Sequence, residues 1–122
     1  MKRTLRKIEK TLRKLYGHDV VIENGLKKPD EIELMLGFYK KSSPSILHLL
    51  LIMKDKTFDV QGVCHGDGDE LLTAFMTLQL QVDLVNKGYK KSPELTKVLN
   101  TLVEKSLHKK IDKIITNQIL SN

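Results

Sequence analysis

The chain contains 122 residues, of which 40% are hydrophobic and 30% charged, with 21 Lys and Arg against 15 Asp and Glu. This length supports a single domain, residues 1–122, and the composition is typical of a globular protein rather than a disordered one. The single cysteine, Cys64, cannot form an internal disulfide, which excludes a disulfide-stapled secreted scaffold and favours a reducing, cytoplasmic compartment. No apolar run approaches the roughly 18 residues that span a bilayer, so we expect no membrane partner.

The excess positive charge is concentrated in residues 1–17. This segment has seven cations and one acid, whereas the remaining 14 lysines and 14 acids cancel, and all three arginines lie within it. On a helix of about 100° per residue, four aliphatic side chains form one stripe and the cations form the opposite face. The stripe consists of Leu5, Ile8, Leu12 and Leu15. The segment is therefore predicted to be an amphipathic helix that ends at Gly17, a residue able to adopt a left-handed conformation.

Two interpretations of the cationic side of this helix stay open. It can simply keep the helix solvated while the leucines cover a sheet. It can also contact an anionic partner, either a nucleotide-type ligand or an acidic protein surface, with nucleic-acid phosphates as the alternative. Docking to a membrane is disfavoured because the apolar stripe lacks Trp and Phe and is needed for the core. The candidate binding residues are Arg3, Arg6, Lys7, Lys10, Arg13 and Lys14.

Residues 18–65 predict an antiparallel meander of three or four strands. A short apolar run at 20–22 indicates an edge strand, and 32–38 alternates with a period of two. The run 46–53 is apolar on both faces, which is typical of a central strand covered on both sides, or of a strand covered on one side and paired with a partner chain on the other. It is joined by a tight turn at Asp55 to another alternating strand that ends at Cys64.

Residues 67–119 predict two helices. Asp67 and Glu70 form a capping box, and the helix that follows runs to Lys87 with apolar residues on far more than one stripe. Ser92 and Pro93 suit the start of another helix, which continues to about residue 119. Such a helix would be about 40 Å long and would overhang the core of one domain. We therefore predict an α+β fold that forms a homodimer or larger homo-oligomer through these C-terminal helices.

Lysine pairs recur along the chain and are predicted to be solubilising groups in loops or on exposed helix faces. Whether some of them join the first helix in one basic surface is left open by the sequence. The pairs are Lys27–Lys28, Lys40–Lys41, Lys90–Lys91 and Lys109–Lys110.

Reactive side chains show no spacing typical of a catalytic or metal site, so no cofactor or metal is expected. Capping explains the acids after residue 66, and Cys64 is interpreted as a core residue. An enzyme would need several of these groups to converge in one pocket; the candidates are His48, Cys64, His65 and Asp67. The sequence thus favours a small non-enzymatic intracellular binding protein. The ratio of 18 Lys to 3 Arg indicates an AT-rich coding genome, such as that of a bacterium or phage. By analogy, the small size and the lack of motifs favour a bacterial or phage accessory protein.

Overall fold

The computed structural model describes residues 2–42, 47–64 and 70–105. The α+β class predicted from the sequence is confirmed. In chain order, the elements are α1 (Lys2–Tyr16), β1 (Val20–Glu23), β2 (Leu34–Lys40), β3 (Leu47–Lys54), β4 (Thr57–Cys64), α2 (Glu70–Asn86), β5 (Lys90–Lys91) and α3, which is helical over 93–105.

The sheet has five strands in the order β1-β2-β3-β4-β5, and only its first four form the predicted antiparallel meander. After α2 crosses over the sheet, β5 pairs parallel with β4. The prediction of a purely antiparallel sheet of three or four strands was therefore wrong, since the sheet is mixed and one strand larger.

The additional strand is the pair Lys90–Lys91, which the sequence placed in a loop or on a helix face. Its backbone is held by the amide of Lys90 donating to the Lys56 carbonyl at 2.9 Å and the amide of Ser92 donating to Phe58 at 3.1 Å. Two exposed lysines show no apolar alternation, so periodicity cannot reveal this strand. Lysine nevertheless suits the edge of a sheet, because its charge opposes pairing with another chain.

Apolar side chains from the two faces of the sheet enter two separate cores. One face, which includes Leu36, Leu51 and Val60, packs against α1 and α2. On the opposite face, Ile52 packs against Leu95 and other residues of α3. Of the two arrangements predicted for the apolar run in β3, the described residues show the one in which both faces are covered within the chain. The sheet thus lies between a layer formed by α1 and α2 and a layer formed by α3.

Helix α1 lies on the sheet as its amphipathic pattern predicts. Ile8 and Leu12 are buried, and Leu5 and Leu15 pack half-buried against the same core. The helix ends at Gly17, whose φ of +92° is left-handed and whose amide donates to the Arg13 carbonyl at 2.9 Å. The opposite side of α1 is therefore directed away from the sheet.

Helix α3 begins where the sequence predicts, with Pro93 as its first helical residue after Ser92. The Ser92 hydroxyl accepts a long hydrogen bond from the amide of Leu95 at 3.4 Å, as expected of a capping residue. Other predictions fall outside the described residues, namely the capping acid Asp67 and all those for residues after 105. The expected overhang of the last helix is among them.

Candidate functional site

All six candidate binding residues lie on the solvent side of α1, where every one of them is exposed. We call this set the cationic face; it consists of Arg3, Arg6, Lys7, Lys10, Arg13 and Lys14. No carboxylate that the structure describes forms an ion pair with any of them, since the ion pairs in those ranges involve Lys40, Lys87 and Lys91. The fold therefore leaves the charge of this face without an internal counterion among the described groups.

Arg13 differs from the rest of the cationic face because it is partly engaged. Its guanidinium donates to the Val20 carbonyl at 3.0 Å, which joins the end of α1 to the start of β1. A guanidinium has further N–H donors, so this bond fixes the position of Arg13 while leaving donors for another contact.

One open groove separates α1 from the turn that connects α2 to β5. It has a volume of about 450 Å³. Four lysines, one hydroxyl and one aromatic ring lie along it, so we call it the lysine groove. Its lining residues are Lys7, Ile8, Lys10, Thr11, Lys14, Lys87 and Tyr89. The groove brings three members of the cationic face together with Lys87, which comes from a distant part of the sequence.

Lys87 is held at the side of this groove by two contacts. Its ammonium group donates to the Thr11 hydroxyl at 2.6 Å and forms an ion pair with Asp83 at 2.9 Å, one helical turn earlier. The hydrogen bond joins the end of α2 to α1, because Thr11 belongs to α1. A surface lysine held in this way loses less conformational freedom when it binds a ligand than a mobile one does.

Tyr16 supports the same junction from inside the core. Its hydroxyl donates to the Met76 carbonyl of α2 at 2.5 Å, and its ring stacks on Phe38 at a centroid distance of 5.7 Å. Burial, and then the negative charge of Asp83, raise the pKa of this hydroxyl above its ordinary value. The neutral phenol is therefore part of the packing between α1 and α2.

A second groove, of about 480 Å³, lies on the other side of the cationic face. We call it the arginine groove. Its lining residues are Arg6, Glu9, Lys10, Arg13, Lys14 and His18. Lys10 and Lys14 line both grooves and form a ridge between them. Arg3 lines neither groove, so the structure does not bring all six predicted residues into one cavity.

Sequence reasoning missed Lys87, Tyr89 and His18 as neighbours of the cationic face. Only one signal pointed to Lys87, namely its spacing of four residues from Asp83 just before the helix-ending Gly88. No local pattern could have linked Tyr89 or Lys87 to α1, because that proximity results from how the two helices pack.

The lysine pairs do not extend either groove within the described residues. Instead, three of them each have a member with a local partner. Lys28 donates to the Ile32 carbonyl at 2.7 Å, Lys40 lies 3.9 Å from Asp19, and Lys91 lies 3.9 Å from the buried carboxylate of Asp59. The pair Lys109–Lys110 lies outside the described residues.

The groups considered for catalysis are mostly beyond what the structure describes. His65 and Asp67 lie in an undescribed segment, and the side chains of His48 and Cys64 are undescribed as well. Within the described ranges, no three His, Cys, Asp or Glu residues are arranged to hold a metal ion. Among the same residues, no helix has both the length and the apolar character needed to cross a bilayer.

Comparison with known proteins gives no match to a protein-family model, to a curated protein or to a solved structure. The function is therefore argued from the residues of this chain.

Proposed function

We propose that this protein is a small non-enzymatic binding protein that engages an anionic, nucleotide-type ligand through the lysine groove. Binding would sequester, block or regulate that ligand. The observation that supports this most is the convergence of four lysines, from two separate helical regions, on one concave surface of about 450 Å³. Small-molecule sites have volumes of roughly 300–1,000 Å³.

The chemistry of the lining favours a phosphate-bearing ligand. Ammonium groups act as point charges for phosphate oxygens, and the Thr11 hydroxyl and Tyr89 ring lie beside them. In a nucleotide, the base can stack on an aromatic ring while nearby cations contact the phosphates, and this groove offers both kinds of group. An acidic protein surface remains a partner for the convex ridge at Lys10 and Lys14, but the concavity favours the smaller ligand.

The composition of the chain also bears on the origin and the compartment of the protein. We propose a bacterial or phage accessory protein that works in the cytoplasm. We also propose that it self-associates through the helices that follow the antiparallel strands. The support for this last part is the apolar character of α2 beyond what one packing face needs.

Nucleic-acid binding is a second candidate, supported by the extent of the cationic face. Arg6 and Arg13 line a groove separate from the first, and Arg3 lies outside both. Charges spread so widely suit a series of phosphates along a backbone better than one small ligand. Binding of this kind should weaken steeply as the salt concentration rises, by a log–log slope of about −0.9 for each phosphate contacted.

Two neighbouring residues provide a matched pair of variants that separates the candidates. Lys7→Gln removes a charge from the lysine groove, and Arg6→Gln removes one from the arginine groove. With ATP as the probe, calorimetric titration should show roughly tenfold weaker binding for Lys7→Gln and little change for Arg6→Gln, since a hydrogen bond to a charged group contributes about 1.5–3 kcal/mol. Lys97→Gln, an exposed change on α3, is the control.

The same variants test the alternative with a short DNA duplex. If DNA binds through the whole cationic face, Lys7→Gln and Arg6→Gln should weaken DNA binding equally. Each should reduce the log–log salt slope by the equivalent of about one phosphate contact. A triple variant in which Arg3, Arg6 and Arg13 are replaced by Gln should then abolish it. If neither probe binds, or if both are bound as tightly by the variants as by the wild type, the cationic face has no role in recognition.

A further inference from the structure

The outer surface of α2 carries a line of exposed large apolar side chains. Their exposed fractions are 82% for Leu71, 60% for Phe75, 59% for Leu78, 52% for Val82 and 54% for Val85. The core does not need these residues, because the inner surface of α2 already contributes Met76, Leu80 and Leu84 to it. We call the five exposed residues the α2 seam.

The spacing along the α2 seam is four, three, four and three residues. This is the alternation that keeps side chains on one narrow stripe facing a second helix in a coiled coil. The stripe extends over about 21 Å, or four turns of helix. A set of scattered surface leucines would not show this regularity, so the spacing points to a helical partner.

The order of side-chain sizes along the seam indicates the orientation of that partner. The larger residues Leu71 and Phe75 precede the central Leu78, and the smaller Val82 and Val85 follow it. If a second copy lies antiparallel about Leu78, Leu71 lies opposite Val85 and Phe75 lies close to Val82, while Leu78 meets its own copy. A parallel arrangement would oppose Phe75 to Phe75 and valine to valine, which would leave the helix spacing uneven. Antiparallel helix dipoles also attract one another.

We propose that two copies of this chain associate through antiparallel pairing of their α2 helices along the α2 seam, with the two-fold axis at Leu78. The proposal deepens the self-association included in the function above by naming its surface and symmetry. Such an interface is isologous, because both copies use the same surface. If one residue of the first copy contacts another residue of the second, the reverse contact is also made.

Charge supports a second copy as the occupant. The α2 positions beside the seam, Ala74, Gln79 and Gln81, are uncharged, and the Asp83 carboxylate is paired with Lys87. The cation Lys91 of β5 lines a groove with Leu78, Val82 and Val85, and it lies 3.9 Å from the Asp59 carboxylate. Two such surfaces meet without like-charge repulsion, which the cationic face of α1 could not do.

The exposed area agrees with a reversible dimer. A large side chain presents ~150–200 Å², so five that are half or more exposed leave roughly 400–500 Å² of apolar surface. That lies within the range of about 300–600 Å² for the largest apolar patch on a monomer, which is often functional. A standard interface buries ~800 Å² on each partner, so the seam supplies about half and its polar borders the remainder. The association should therefore depend on protein concentration.

Sedimentation equilibrium of the full chain over a wide concentration range tests the proposal. The wild type should approach twice its monomer mass of 14.0 kDa. Leu78→Glu places two carboxylates against each other at the axis and should weaken the dimer more than about 100-fold. The control Thr101→Glu adds the same charge at an exposed position on α3 and should dimerise normally. Circular dichroism should show both variants folded.

The outcomes of this experiment distinguish the α2 seam from the self-association and the ligand binding proposed above. A wild type that stays monomeric overturns both the seam and the self-association, while leaving ATP or DNA binding untouched. A wild-type dimer that persists in Leu78→Glu overturns the seam alone.

Disulfide cross-linking tests the orientation independently. Under mild oxidation, Leu78→Cys should form a cross-linked dimer because two copies of position 78 meet at the axis. Val85→Cys should not, because antiparallel pairing separates its two copies by about 20 Å. The wild type, with Cys64 alone, is the background control. Efficient cross-linking of Val85→Cys would overturn the antiparallel arrangement.

Discussion

Helices α1 and α2 pack on the same face of one sheet, yet they present opposite surfaces to their surroundings. Helix α1 buries a single apolar stripe and exposes cations, whereas α2 buries one apolar stripe and exposes another. Both helices contribute their inner faces to one core, so the contrast between their outer faces does not arise from packing in that core. The comparison shows that packing in the core determines the inner face of each helix. The outer face is not constrained by the core, so it is where we expect contacts with partners.

The two outer faces should respond to solution conditions in opposite ways. Binding of anions to the cationic face weakens as salt screens the charges, over a Debye length of about 8 Å at physiological ionic strength. Association along the α2 seam depends on removing apolar surface from water, which salts such as sulfate strengthen. Salt dependence therefore distinguishes the two surfaces in a single preparation.

The largest expected effect contrasts the two faces of α2 directly. Leu80→Ala removes a side chain that is 0% exposed and should lower the free energy of unfolding by about 2–5 kcal/mol. Leu78→Ala, two residues earlier on the outer face, should change it by less than about 0.5 kcal/mol in dilute protein. Urea unfolding followed by circular dichroism measures both. Equal losses would mean that the outer face is covered within the monomer.

A smaller effect is expected where α2 approaches the sheet most closely. A methyl group added at Gly62 of β4 would overlap Cγ2 of Thr73, so Gly62→Ala should cost about 1–3 kcal/mol. The double variant Gly62→Ala with Thr73→Ser removes the overlapping methyl group and should recover most of the loss in thermal unfolding. Gly25→Ala is the control, since an added Cβ there has no neighbour within 4 Å. Failure of the double variant to recover would contradict this account.

Tyr16 joins the two helices, and its removal should weaken that junction. Tyr16→Phe loses the hydrogen bond to the Met76 carbonyl and should cost about 1 kcal/mol near neutral pH. Because burial raises the pKa of Tyr16, the folded protein keeps a proton that the unfolded chain releases above about pH 10. The wild type should therefore keep its full stability below that pH and lose stability as the pH rises further.

Thermal unfolding across the alkaline range measures this decline, which should be smaller in Tyr16→Phe than in the wild type. Tyr89→Phe is a suitable control because it also removes one tyrosine hydroxyl but keeps Tyr16, so it should show the wild-type decline. Identical alkaline profiles for all three proteins would contradict the assignment to Tyr16.

The smallest effect on stability is expected from the cationic face. Arg3→Gln and Lys10→Gln should each change the free energy of unfolding by less than about 0.5 kcal/mol, because both side chains are exposed and have no acidic partner among the described residues. At low salt the change should be slightly favourable, since neighbouring cations repel. A loss well above 1 kcal/mol in urea unfolding would show that the charge serves the fold.

Much of the fold could be predicted because its signals are local. The apolar stripe of α1, its end at Gly17, the apolar runs and alternating patterns of the first four strands, and the start of α3 all depend on neighbouring residues. The strand at Lys90–Lys91 could not be predicted, because only backbone pairing with β4 defines it. The candidate site could also be predicted only in part. The sequence identified the cations of α1 but not Lys87 and Tyr89, which lie beside them only in the folded protein.

By itself, the sequence determined where the charge lies and which segments form the helices and the first four strands, because composition and periodicity act over a few residues. It also established that α2 has more apolar residues than one face can bury. Only the tertiary structure decided which of those residues enter the core and which form the α2 seam. Only the packing of α1 against the end of α2 placed Lys87 beside Lys7 and Lys14, since contacts between residues far apart in the chain depend on how whole elements pack.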